Sequence, residues 1–248
     1  MLGPDSRTVI GSMCLEDLGI VVERVHDVLP EVRAETTDVP GRHGSVLSGT
    51  TLAPRPITLE CRAFRDSWQD FEKLKDELSA VLHRGGPFTV YLRNHPGEYY
   101  IARFVSMTEG DRIGGTGIGY LEINLMADDP LRYGPIKSVS AGTTAATFYV
   151  EGSAPASIQI SSTTAVRSGA SEVWGVRFDN QDVVHVGIPT SSAATVAIDC
   201  DERTAVVNQA ATLVTLDSNW PQLSPGIHTV AVDQGSGIAT VAWQERSA

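Results

Sequence analysis

The chain reads as mainly β, in two parts: a first β domain that carries one helix, then an all-β sandwich. Three observations predict this: period-2 alternation in the first half, a single period-3.6 stripe, and short strand-like runs at even spacing in the second half. In the first half, residues 19–25 and 32–37 are rich in β-branched residues. Ile57, Leu59 and Cys61 alternate with Thr58, Glu60 and Arg62, as in a strand with one face buried. The helix is placed at 67–83. Ser67 is its N-cap, Asp70 sits in the first turn where the helix dipole favours negative charge, and Gly85-Gly86-Pro87 stops it. Trp68, Phe71, Leu74, Leu78, Val81 and Leu82 recur every three or four residues and form its apolar stripe.

Strands are predicted next at residues 88–92 and 99–105, joined by the turn Asn94-His95-Pro96-Gly97, and at 120–126, where Leu121, Ile123 and Leu125 alternate with Glu122 and Asn124. Residues 109–119 are glycine-rich and read as a mobile hairpin tip. The pattern breaks between Asp128 and Pro135, and residues 138–146 carry small side chains, as a linker or first edge strand would. The first domain is therefore placed at residues 1–137 and the second at 138–248. In the second, strands are expected at 148–150, 157–160, 173–178, 183–186, 195–199, 205–207, 213–216, 227–232 and 238–243, with no helix.

Composition narrows the function. The formal net charge is -11 and the pI about 4.9, so the surface repels nucleic-acid phosphates and anionic lipid headgroups. Cys14, Cys61 and Cys200 are an odd, widely spaced set without a C-x-x-C, which argues against a disulfide framework or zinc knuckle and fits reduced thiols in a cytoplasm. No apolar run is long enough to span a bilayer, and residues 1–10 lack the pattern of a signal peptide.

Each candidate chemical motif has a structural explanation. Asp199-Cys200-Asp201-Glu202 has the oxygens a calcium ion wants, but it lacks the spacing of a calcium loop and reads as a solvated hairpin turn. Gly114-Gly115-Thr116-Gly117-Ile118-Gly119 leads into a strand, so no helix N-terminus follows to hold a phosphate. His26, His43, His83, His95, His185 and His228 show no metal-ligand spacing, and no G-x-S-x-G elbow occurs. Trp174 and Trp220 would stack on sugar rings if exposed and fill the sandwich core if buried; burial is the expectation. No catalytic, cofactor or metal residue is assigned.

The order of the parts then carries a resemblance. A turn Val39-Pro40-Gly41-Arg42-His43-Gly44 precedes a strand, the helix and a further strand; Pro96-Gly97-Glu98-Tyr99-Tyr100 follows. The first domain exits through Asp129-Pro130-Leu131-Arg132-Tyr133-Gly134. Ala154-Pro155 and Trp220-Pro221-Gln222-Leu223-Ser224-Pro225-Gly226 lie in the second. This arrangement resembles the distal tail proteins of siphophages that infect Gram-positive hosts. His43 is a departure, since an acidic residue is frequent there. The resemblance implies a first domain of β-sandwich or split-barrel type and a galectin-like second domain. It also implies a hexameric ring at the virion tail tip, made and assembled in the host cytoplasm. The ring would join the tail tube protein to the tail-tip hub, with a receptor-binding protein or a host saccharide as a further partner, and without enzymatic activity, nucleic-acid binding or membrane insertion. The alternative is a carbohydrate-binding adhesin working through the second domain.

Overall fold

The computed structural model describes residues 7–41, 43–84, 86–113, 117–169, 172–179, 181–189 and 192–248, with the side chain of Arg112 excepted. The chain divides into two compact units, the first ending at Arg132 and the second spanning Tyr133–Ser247. The architecture is mostly strand, with one α-helix among the described residues.

In the first unit β1 (Val9–Ile10) and β2 (Met13–Cys14) form a short hairpin, followed by β3 (Ile20–Asp27). β4 (Val32–Asp38) and β5 (Ser45–Leu52) form a second hairpin. Then come β6 (Arg55–Arg65), α1 (Trp68–Leu82), β7 (Phe88–Tyr91), β8 (Tyr99–Arg112) and β9 (Gly117–Ala127). All pairings are antiparallel, in the order β2-β1-β7-β8-β9-β6-β3. β8 is divided lengthwise: its first four residues pair with β7 and the rest with β9. The alternation in β6 and β9 sends Ile57, Leu59, Cys61, Leu121, Ile123 and Leu125 into the core and the intervening polar residues outward.

Helix α1 covers that core. Ser67 Oγ accepts from the Asp70 backbone N–H at 3.2 Å and donates to the Asp70 carboxylate at 2.6 Å. The Ser67 hydroxyl, with Lys73 beside it, holds the Asp70 carboxyl below its ordinary value. Phe71, Leu74, Leu78 and Leu82 are buried, with Trp68 and Val81 at the margin. The His83 N–H closes the helix on the Ser79 carbonyl. Of the predicted stop signal, Gly85 lies outside the described residues.

The glycine-rich segment differs from the expectation. Residues 114–116 are outside the described residues, but β8 runs to Arg112 and β9 begins at Gly117, so most of 109–119 is strand. Gly117 pairs with Arg65 and Gly119 with Ala63. A Cβ at Gly119 would lie 2.6 Å from Phe71 Cζ, and one at Gly117 would lie 2.2 Å from the Arg65 carbonyl oxygen. These glycines let α1 and the β6–α1 connection lie close against the sheet; they are packing residues. Gly119→Val is therefore expected to cost about 1–3 kcal/mol through overpacking. Urea denaturation would measure it, and an unchanged midpoint would show that Phe71 moves aside freely.

The second unit is a sandwich of two antiparallel sheets. It comprises β10 (Arg132–Ala141), β11 (Ala146–Val150), β12 (Ala154–Ala165), β13 (Val173–Phe178), β14 (Asp182–Gly187), β15 (Ala194–Asp199), β16 (Thr204–Val207), β17 (Ala210–Thr212), β18 (Gly226–Gln234) and β19 (Ala239–Ser247). One sheet runs β10-β19-β12-β15-β16-β17 and the other β11-β18-β13-β14. Their inner faces share one core, with Trp174, Phe178, Ile158, Ile160, Val176, Val241 and Trp243 among its larger members.

One expectation is met and one is corrected here. Of the two readings of residues 138–146, the edge strand holds for 138–141, which end β10 beside β19. Residues 213–216 are not a strand. β17 ends at Thr212, Leu213 and Leu216 face solvent, and only Val214 makes an isolated bridge, to Val186.

Candidate functional site

Among the described residues no group of three or more His, Cys, Asp or Glu side chains is placed to hold a metal ion. The features that stand out are an exposed arm, an exit segment and two buried polar networks.

The arm is the β4–β5 hairpin. It forms a sheet of its own, pairing from Val32↔Leu52 out to Asp38↔Ser45, and at its base the Ala53 N–H bonds the Glu31 carbonyl at 2.8 Å. Every residue of β4 is exposed, and Val32, Leu47 and Leu52 are exposed apolar side chains. Pro40, Gly41 and Gly44 lie at its tip; Arg42 lies outside the described residues. Gly41 and Gly44 have φ of 83° and 80°, a left-handed backbone that glycine adopts without a steric cost.

The exit segment is locally fixed. The Asp129 carboxylate accepts from the Leu131 N–H at 3.1 Å, with Pro130 between them. The Arg246 guanidinium lies over the Tyr133 ring, 5.5 Å from its centre. The Gly134 carbonyl accepts from Gln244, and a Cβ at Gly134 would come within 3.3 Å of Glu245.

The first buried network lies in the first unit. Arg55, 2% exposed, donates to the Tyr100 hydroxyl at 2.7 Å and lies 3.5 Å from the Asp27 carboxylate. Tyr100 donates to Asp27 at 2.6 Å, and His95 Nε2 reaches Asp27 at 2.9 Å. Arg132 contacts His95 Nδ1 and pairs with Glu98 at 3.2 Å. Arginine only donates, so His95 Nδ1 accepts and its Nε2–H faces Asp27. Burial, then Asp27, push the Tyr100 phenol well above its ordinary range.

The second network lies in the second unit. His185 is buried, with Nδ1 at 3.1 Å from Asp217 and Nε2 at 3.0 Å from Asp233. Asp233 also pairs with Arg177. Sequence reasoning missed both networks, because their members are scattered over many tens of residues.

The remaining candidates are structural. Asp199 caps its own turn, accepting from the N–H groups of Asp201 and Glu202 at 3.0 Å each. Asp201 is held by Ser157 and by Arg246 at 2.8 Å. Trp174 is fully buried, so it is not available to stack on a sugar, and Trp220 is half-buried against the same core. His228 pairs with Asp179 at 2.6 Å and His26 with Glu60 at 2.6 Å. Burial pushes the Cys61 and Cys200 thiols up to about 12.

These pairings set an acid limit. Burial alone would raise the Asp179 and Asp201 carboxyls. His228 and Thr229 outweigh it at Asp179, Ser157 and Arg246 at Asp201, and both end below their ordinary value of 3.8. A depressed folded value means the stabilisation is complete above 3.8 and is lost as pH falls through the folded values. The melting temperature is therefore expected to hold from about pH 7 to 5 and drop below about pH 4. Asp179→Asn with Asp201→Asn should flatten that drop; an equally steep acid limb in the double variant would assign it elsewhere.

With the geometry set out, comparison with known proteins gives the class. Residues 15–127 match the phage tail protein RIFT-related domain, and residues 151–246 match the siphovirus-type tail component, C-terminal domain. The chain is a structural component of a phage tail. It belongs to the siphophage distal tail protein family. The crystal structure of phage SPP1 Dit, described as a paradigm of the hub adsorption apparatus in phages infecting Gram-positive bacteria, matches over 97% of this chain and 98% of its own, with a TM-score of 0.80 at 19% identity. A chain of the phage P2 baseplate in its activated conformation with Ca matches over 94% and 92%, with a TM-score of 0.50 at 9% identity. At such identities the likeness concerns the fold. A comparison with curated proteins finds no significant match. No described helix is long and apolar enough to cross a membrane.

Proposed function

We propose that the chain assembles into a six-fold ring at the tail tip, joining the tail tube to the hub and to whatever contacts the host. The observation that carries this is the arm. A two-stranded hairpin standing alone in water is marginally stable at best. Here both strands lie off the core with apolar side chains exposed, so a neighbouring copy is the natural cover. Family membership and the fold shared with SPP1 Dit support the same reading.

The two-unit division and the motif turns fit a scaffold whose first unit builds the ring and whose second projects for docking. With a net charge of -11 on each copy, an acidic lining of the central channel would repel DNA in transit. The adhesin alternative has lost one of its two stacking candidates with the burial of Trp174.

Negative-stain imaging of the purified protein, with light scattering for mass, tests the ring. Six-fold particles are expected. A monomer that stays monomeric when mixed with tail tube and hub proteins would sink the proposal.

A further inference from the structure

The segment that fails to form a strand, residues 213–219, has an unusual character. Leu216 is 107% exposed and Leu213 87%, the two most exposed large apolar side chains among the described residues. Apolar side chains on a loose loop would be unremarkable, but this loop is tied down. The Thr215 N–H bonds the His185 carbonyl at 3.0 Å, and the Asn219 N–H bonds the Val183 carbonyl at 2.8 Å. The His185 N–H donates to Ser218 Oγ at 2.9 Å, and the buried His185 ring holds Asp217. The Thr215 hydroxyl also bonds Asp217, and Asn219 Nδ2 donates to Asp182 at 2.8 Å. Val214 bridges to Val186. The buried histidine and the edge of β14 thus present two leucines outward on a backbone that is already ordered.

We propose that this loop is a preformed docking knob for another protein of the tail, whose matching surface is an apolar pocket with a basic rim. The inference rests on the reading of the chain as a tail scaffold. Preorganisation is the first argument: an ordered loop loses little further freedom on binding, so burial of the leucines goes largely into affinity. Charge is the second. The knob is flanked by Asp182 and by Asp217, which is mostly exposed; Asp233, behind the His185 ring, is buried and paired with Arg177. An acidic collar favours lysine and arginine around the partner's pocket. It disfavours an anionic lipid surface.

The test uses assembled tails. A benzoylphenylalanine crosslinker is placed at position 216, and at Ser140 on β10 as an exposed control. The expected product links position 216 to an aliphatic segment flanked by Lys or Arg in a different tail protein, at about tenfold or more the control yield. Tails carrying Leu213→Ser with Leu216→Ser should lose that same protein by about tenfold or more in mass spectrometry, a fall read against the unchanged protein. Rings of the double variant should form as before, which separates the knob from the ring. A crosslink to lipid or to another copy, a yield no higher than the control, or an unchanged tail composition in the double variant would each overturn the proposal.

Discussion

Replacing Arg55 with Met is expected to destabilise the first unit by about 3–5 kcal/mol, the range for breaking a buried ion pair by removing one partner. Arg55 and Asp27 are 2% and 7% exposed, and Tyr100 bridges them. Without the guanidinium, Asp27 keeps a buried negative charge with only a phenol and an imidazole to stabilise it. The double variant Arg55→Met with Asp27→Leu should recover most of the loss, since a matched apolar pair is often no worse than a buried ion pair. Hydrogen exchange at the β3 and β6 amides reads both variants locally. A single-variant loss below about 1 kcal/mol would mean that water reaches the site and screens it.

Excising the arm should have the opposite signature: no loss of fold and complete loss of the ring. Glu31 and Ala53 are already hydrogen-bonded at the arm's base, so a short Gly-Ser link between them closes with little strain. Shortening a surface excursion changes loop-closure entropy by about 1 kcal/mol or less. The melting temperature should therefore stay nearly fixed while light scattering falls from the ring to the single chain. Persistence of six-fold particles would show that the ring is made by other surfaces, and a collapse of the melt would show that the arm supports its own unit.

Much of the architecture was legible in local pattern. Helix α1 was readable because its cap, its stripe and its charges all report on neighbours three or four residues away, and β6 and β9 because alternation is a local property. The failures have a physical cause. Gly117 and Gly119 looked like a mobile tip because glycine signals freedom, whereas here the missing Cβ is what admits Phe71. Leu213, Val214 and Leu216 looked like a strand because apolar residues usually point inward; two of these three point out. The Arg55–Tyr100–Asp27 cluster joins residues up to 73 apart, and no local spacing encodes that. The arm's turn was found through its motif, yet the exposure of both strands emerges only in three dimensions.

The two buried thiols have a consequence for a particle that changes surroundings. Oxygenated medium attacks a thiol chiefly through its thiolate. Cys61 and Cys200 hold their protons up to about 12, so at neutral pH almost none of the reactive thiolate exists. Neither is exposed to an oxidant or to a partner thiol. At these two positions the subunit therefore keeps one covalent structure whether its surroundings are reducing or oxidising.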